Sequence, residues 1–435
     1  MSTPFDGQPG RLRLRVGNRA AVDLSIPEGP TSHVQATFDV SRAGVRDIAL
    51  QFLNDRLENG RDRNLSISRV RISRTDPIPH ARREKVLQGS LDRANVVLIS
   101  IDTLRRDHLS LYGYDRETSP NLDALAARGI TFERAVSASH WTAPAHASLL
   151  SGLHPDEHGL VQYPEPGALH EDVPMLAERL VEAGYQTAAF VGGSYVSEKL
   201  GLGQGFEYWH EERTRAERRF EQAADWLDSR DPTRPFFLFV HTYEVHEPYD
   251  PPSPHDQHWQ TGDPPEADVD LRGQISKLYN KGFRPTSEQL RHLEALYDGE
   301  IRYTDAQLGL FLERLGVSGL DEETLVVVTS DHGEQFMDHG GLAHGALYGE
   351  LIGVPLVLSH PVLDLWGVPR VEQVTPAIDL VPTLLDLLDI RLPSGEVSGQ
   401  SRLAALAGHL DPSIQALSTS EMLMAARSSV LDLAG

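Results

Sequence analysis

Four short segments of the chain concentrate side chains that can bind a cation or attack an ester. Asp102 closes the apolar run NVVLISI; a carboxylate at a strand end is a good hard-cation ligand and is equally at home as a helix N-cap. Asp331, His332, Gly333 and Glu334 follow the run TLVVVTS. There a carboxylate and an imidazole diverging from a tight turn, which Gly333 permits, suit a divalent ion. The segment MDHGGLAHG just downstream adds His339 and His344, so three histidines fall within thirteen residues. His241 and His246 flank a loop after PFFLFV that also carries Glu244 and Glu247. Alone these are ordinary loop histidines; beside a metal cluster they become second-site ligands or donors to substrate oxygens.

The fourth segment, SASHWTAPAHASLLSGLHP, places Thr142 just before an apparent helix start, with Pro144 suited to the first turn. A hydroxyl there meets the amides and dipole of a helix N-terminus, which favour an anion, although an N-cap role is the plain alternative. A threonine hydroxyl is too weakly acidic to attack an ester unaided, so a base or a metal must activate it. The candidate ligands already named meet that need. His146, one helical turn on, either orients the nucleophile and touches the anion or makes a helix-surface hydrogen bond.

The elements that carry these residues alternate. Near-continuous apolar runs (NVVLISID, QTAAFVGG, PFFLFVHTY, TLVVVTS, VPLVLSH) read as strands covered on both faces, and NLDALAARG, VPMLAERLVEAGY and AERRFEQAADWLDS have helical spacing. That pattern predicts an α/β fold, a mainly parallel sheet flanked by helices, over residues 94–435, with sites collected at the carboxyl ends of strands. Residues 1–78 alternate in short stretches (RLRLRV, VQATFDV, IALQFL, LSISRVRI) and predict a small β-sandwich domain; 79–93 read as a linker.

Composition narrows the function classes. A formal charge of −23 disfavours nucleic-acid backbone or anionic membrane as the main partner. With no cysteine, disulfides, thiolate metal sites and a cysteine nucleophile are all excluded. No run of about 18 apolar residues and no basic start before an apolar stretch occurs, so the expectation is a soluble, cytoplasmic protein without a membrane span, secretion remaining open.

In this order the four segments resemble the alkaline phosphatase and sulfatase superfamily. NVVLISIDTLRRDHLSLYGY, SPNLDALAARGITFERAVSASHWTAPAHASLLSGLHPDEHG, DGEIRYTDAQLG, TSDHGEQFMDHG, LYGELIGVPLVL and AIDLVPTLLDLLDI carry the resemblance, over roughly three quarters of the chain. It implies an alkaline phosphatase-like fold and a divalent-metal ester hydrolase. The family's nucleophile pattern falls on Thr142-Ala143-Pro144-Ala145-His146, making Thr142 the nucleophile. By the same match Asp102, Thr142, Asp331 and His332 hold one ion, Mn²⁺, Zn²⁺ or Mg²⁺, while His246 and His344, with or without His241, complete a second site or bind the substrate's oxygens. True sulfatases oxidise a Cys or Ser at the nucleophile position to formylglycine and carry a Lys shortly after the histidine matching His344. This chain has Thr and no such Lys. Thr103 stands where many sulfatases have a second Asp, and the family's usual C-terminal subdomain is not evident before SSVLDLAG.

Phosphorus-directed relatives of this superfamily use threonine. The expectation is therefore hydrolysis or transfer at a phosphate mono- or diester, of a small molecule or a glycan. Sulfate-ester hydrolysis without formylglycine and a non-catalytic glycan-binding homologue are the alternatives. At the N-terminus, ALQFLNDRLENGRDRNLSISRVRI resembles calcium-dependent, xylan-binding-type carbohydrate modules, which would place Ca²⁺ on Asn54, Asp55, Asp62 and Asn64, beside Arg63.

Overall fold

The computed structural model describes residues 87–161, 167–260, 275, 279–364 and 368–408, and the backbone alone of strands at 10–16, 22–26, 48–52, 57–58, 61–62, 416–420 and 427–431. The chain divides into two compact units, Met1–Pro77 and Ile78–Gly435.

In the first unit, β1 (Gly10–Val16) pairs antiparallel with β2 (Val22–Ile26) on one side and β3 (Ile48–Phe52) on the other. A separate ladder joins β4 (Leu57–Glu58) to β5 (Arg61–Asp62). RLRLRV and IALQFL thus lie on strands, and VDLSI adds one the alternation did not single out. VQATFDV and LSISRVRI lie outside the described residues.

The second unit is built on a nine-stranded sheet. Its strands are β6 (Asn95–Ile101), β7 (Gly129–Val136), β8 (Gln186–Val191), β9 (Tyr208–Glu211), β10 (Phe236–Thr242) and β11 (Thr324–Thr329). After the small β12 (Gln335–Phe336) and β13 (Leu342–Ala343) ladder come β14 (Gly353–Val354), β15 (Leu356–Ser359) and β16 (Arg370–Pro376). The order is β14-β7-β15-β11-β6-β10-β8-β9, with β16 also on β7. β6 to β11 and β16 run one way; β14 and β15 run the other. The sheet is therefore mainly parallel, as the alternating pattern predicts. A last two-stranded ladder joins β17 (Ala416–Ser420) to β18 (Arg427–Leu431).

The central strand shows why its sequence is apolar throughout. Val96 and Leu98 enter one hydrophobic cluster, and Val97, Ile99 and Ile101 the other, on the opposite face. Val96 to Ile99 are fully buried, each worth about 1.5–3 kcal/mol of burial. A strand with one wet face would alternate instead. Helices Thr142–Ser151 and Leu380–Leu387 supply the first cluster, and Ala216–Ser229 and Ser287–Val317 the second. Leu87 and Leu91, in the stretch read as linker, also belong to the first cluster, and Gly89 and Leu91 bond to the Asp386 and Leu387 carbonyls. The core of the second unit thus takes in residues before 94.

Candidate active site

The chemistry-bearing residues meet at the carboxyl ends of β6, β7, β10 and β11. Asp102 directly follows β6, and its N–H donates to the Thr242 carbonyl at the end of β10, fixing two strand ends together. His241 lies within β10 itself. Asp331 and His332 come two and three residues after β11. One ligand atom each from Asp102, Asp331 and His332 lies within 4.8 Å of the others, and this is the only such trio of acids or histidines among the described residues. Helix Thr142–Ser151 starts just beyond β7 with Trp141, extended at φ −148°, as its N-cap. Thr142 is thus the first helical residue and not the cap. Its Oγ1 lies 3.4 Å from Asp102 Oδ2 and 3.4 Å from His332 Nε2.

Hydrogen bonds assign the tautomer of each imidazole. His332 Nδ1–H donates to the Gly333 carbonyl at 2.9 Å, so its Nε2 lone pair faces Thr142 and Asp331. His146 Nδ1–H donates to the Thr142 carbonyl and its Nε2 accepts from Ser100 Oγ, both at 2.9 Å. Neither nitrogen is left to act as a base on Thr142, and the ring is fully buried rather than on a helix surface. His241 Nδ1 accepts from Gly192 N–H, so its Nε2–H faces Asp102 Oδ2 at 3.4 Å. With both nitrogens engaged, His241 orients a ligand carboxylate. His246 Nδ1–H donates to the Glu247 carbonyl, leaving Nε2 3.5 Å from His344 Nε2. These last two rings are only partly buried and form the rim above a closed floor. Burial is the main cause that holds His146, His241, His246, His332 and His344 below the ordinary histidine pKa, so all five are neutral near pH 7.

The acids show the opposite shift. Burial first, then the charges of Asp331 and Glu334, raise the Asp102 carboxyl well above the usual range. Burial pushes Glu334 up to about 8. Asp102 Oδ1, Asp331 Oδ2 and Glu334 Oε1 are buried without a hydrogen-bond partner. Buried carboxylate oxygens left unpaired are costly unless a cation compensates them, and two carboxylates with one imidazole suit a divalent transition ion.

Supporting residues came from places the linear reading did not reach. The N–H groups of Thr103 and Leu104 donate to Asp331 Oδ1 (3.2 Å) and Ser330 Oγ (3.0 Å). His140, two residues before Thr142, contacts the His344 carbonyl through Nδ1 at 3.2 Å. Buried Arg105 pairs with Asp107 and Asp338 and donates to the Glu334 carbonyl. Gly333 is required for a reason other than turn conformation: a Cβ there would stand 1.9 Å from the Glu350 carbonyl oxygen. His339 turns instead to Glu350 and stacks on Tyr348 at 3.9 Å. At the N-terminus, Asn54, Asp55 and Asn64 lie outside the described residues, and Asp62 ends β5, where only backbone is described.

Comparison with known proteins agrees with this architecture. The sulfatase family model matches residues 94–390, and the chain belongs to the sulfatase family. It is therefore an ester hydrolase of the sulfatase superfamily, whose members use divalent metal ions. It is 27% identical over 374 residues to an arylsulfatase of Clostridium perfringens, covering 69% of this chain and 76% of that protein. To the multifunctional alkaline phosphatase superfamily protein PehA of Trinickia caryophylli it is 26% identical over 403 residues, covering 73% and 78%. The fold is similar to that of the phosphonate monoester hydrolase of Agrobacterium radiobacter, with a TM-score of 0.62 at 23% identity over 75% of this chain and 80% of that one. No described helix is long and apolar enough to cross a membrane.

Proposed function

We propose that the protein cleaves phosphate mono- or diesters, of small molecules or glycans, by attack of Thr142 on phosphorus. The observation that carries this reading is the Thr142 hydroxyl, buried at a helix N-terminus and 3.4 Å from both Asp102 Oδ2 and His332 Nε2. Asp102, Asp331, His332 and Thr142 hold one divalent cation, and the imidazole favours Mn²⁺ or Zn²⁺ over Mg²⁺ or Ca²⁺. That cation supplies Lewis-acid polarisation of the ester and a lowered hydroxyl pKa.

The residues do the rest. Thr142 Oγ1 bonds to phosphorus as the bond to the leaving oxygen breaks, and Asp102 Oδ2 is the acceptor facing the hydroxyl proton. Helix Thr142–Ser151 begins at the nucleophile, so the positive end of its dipole lies where the anion would sit. With its Nδ1–H on the Glu247 carbonyl, His246 offers a lone pair at Nε2 that accepts from the His344 Nε2–H at 3.5 Å, and that His344 N–H is the donor at hand for a non-bridging or leaving oxygen. Water then cleaves the phospho-threonine, returning the hydroxyl. His146 holds the Thr142 backbone and Ser100, a positioning role.

A second reading, sulfate-ester hydrolysis, is favoured by the names of several relatives, among them the ulvan-active sulfatase of Formosa agariphila, 28% identical over 362 residues, covering 75% of this chain and 67% of that protein. Against it stands Thr142 itself, which cannot yield a formylglycine aldehyde. Turnover of p-nitrophenyl phosphate, bis-p-nitrophenyl phosphate, p-nitrophenyl phenylphosphonate and p-nitrophenyl sulfate with Mn²⁺, Zn²⁺, Mg²⁺ or Ca²⁺ separates the two. Phosphoryl turnover lost in Thr142→Ala supports the first reading; turnover of the sulfate alone moves the protein to the second. For the N-terminal unit, residues 54–64 support calcium-dependent glycan binding, and calorimetry with xylan with and without EDTA tests it.

A further inference from the structure

Thr103 has a φ of 54°, in the left-handed region that a β-branched residue rarely occupies. It follows Asp102 directly, so its backbone sets where that carboxylate points. Its own hydroxyl does not stabilise this conformation, since Oγ1 is buried without a hydrogen-bond partner. What holds the loop is its backbone. Three successive N–H groups leave it for distant side chains: Thr103 to Asp331 Oδ1 at 3.2 Å, Leu104 to Ser330 Oγ at 3.0 Å, and Arg105 to the Tyr297 hydroxyl at 2.8 Å. The same Tyr297 hydroxyl donates to the Thr103 carbonyl at 2.7 Å. One oxygen thus closes both ends of the kinked turn. Tyr297 is fully buried in the middle of helix Ser287–Val317, edge-on to Phe336 and His108 at 5.0 and 5.2 Å. It has one rigid place to put that hydroxyl.

We propose that Tyr297 is a positioning residue that holds Thr103 in its left-handed conformation and so presets the spacing of the Asp102 and Asp331 carboxylates before a cation binds. The inference rests on the reading of Asp102, Asp331 and His332 as cation ligands. When the hydroxyl is lost, the Thr103 carbonyl and Arg105 N–H are left buried and unpaired. The turn then relaxes toward negative φ, and the Thr103 N–H swings away from Asp331. Partners that orient ligand carboxylates typically change metal affinity by about 10–100-fold when removed.

The test is calorimetric titration of metal-stripped, full-length protein with Mn²⁺, which needs no substrate. Y297F is expected to bind Mn²⁺ at least tenfold more weakly than wild type. Thr103→Gly is expected to bind about as tightly as wild type, because glycine adopts left-handed φ without penalty. The double variant Y297F/T103G is expected to recover most of the lost affinity. Should Y297F alone fail to fold, the double variant still decides, since near-wild-type binding is expected of it only if Tyr297 acts through Thr103. Y297F binding within twofold of wild type, or a double variant as weak as Y297F or weaker, would overturn the inference. Wild type that binds Mn²⁺ no better than Asp331→Asn would instead overturn the ligand reading beneath it.

Discussion

At the scale of the residue, the site is defined by which atoms already have partners. Thr142 Oγ1 makes only long contacts, to Asp102 Oδ2 and His332 Nε2, whereas His146 is fully committed to the Thr142 carbonyl and Ser100. The two substitutions should therefore separate. Thr142→Ala is expected to lower kcat by at least about a thousandfold while leaving the unfolding midpoint near wild type, the signature of a nucleophile. His146→Ala leaves a buried hydroxyl and a buried carbonyl beside a cavity, and is expected to cost about 3 kcal/mol in urea unfolding. Equal losses of stability in the two variants would contradict the division of roles. The sequence displayed Asp102, Thr142, Asp331 and His332 openly, because polar residues ending apolar runs are conspicuous. It could not display Tyr297 or the donor role of His241, whose partners lie 192 to 194 and 139 positions away.

At the scale of the element, two turns of the second unit depend on neutral histidines. His158 Nδ1 accepts from Leu160 N–H at 3.1 Å and its Nε2–H donates to Ser148 Oγ; His360 Nδ1 accepts from Val362 N–H at 3.1 Å. Burial holds both at about 4. A folded pKa below the unfolded value of about 6.5 means stability that is full above pH 6.5 and lost as pH falls toward 4. Protonation would turn each acceptor against the N–H it serves. Urea unfolding is expected to lose up to about 3 kcal/mol per histidine between pH 7 and pH 4, and His158→Gln should flatten that slope. Gly333 acts at the same scale: Gly333→Ala forces the Glu350 carbonyl aside and is expected to weaken Mn²⁺ binding and lower Tm together. Strands were legible wherever both faces are buried, since β6, β8, β10 and β11 each carry a run of consecutive apolar residues. The direction of β15 was not, because antiparallel and parallel strands buried on both faces look alike in composition.

At the scale of the whole molecule, the uncompensated acids make stability depend on the cation. A ligand bound only by the folded state at a thousand times its Kd adds about 4 kcal/mol, so EDTA is expected to lower Tm by several degrees and Mn²⁺ to restore it. A Tm indifferent to EDTA would remove the cation from the account. The contribution of Leu87 and Leu91 to the second unit's core was not legible, because isolated leucines among charges carry no period.

The place of β7 in the sheet sets an order of events in time. β7 delivers Thr142, yet its sheet partners are β14, β15 and β16, all drawn from residues 353–376, and only through β15 does it reach the strand bearing Asp331. During synthesis, every residue of the site emerges before the segment that seats one of them. A nascent chain paused at residue 350 carries the strands that bring Asp102, His241 and Asp331 side by side but none of the partners of β7, so Thr142 is the last of these residues to be seated.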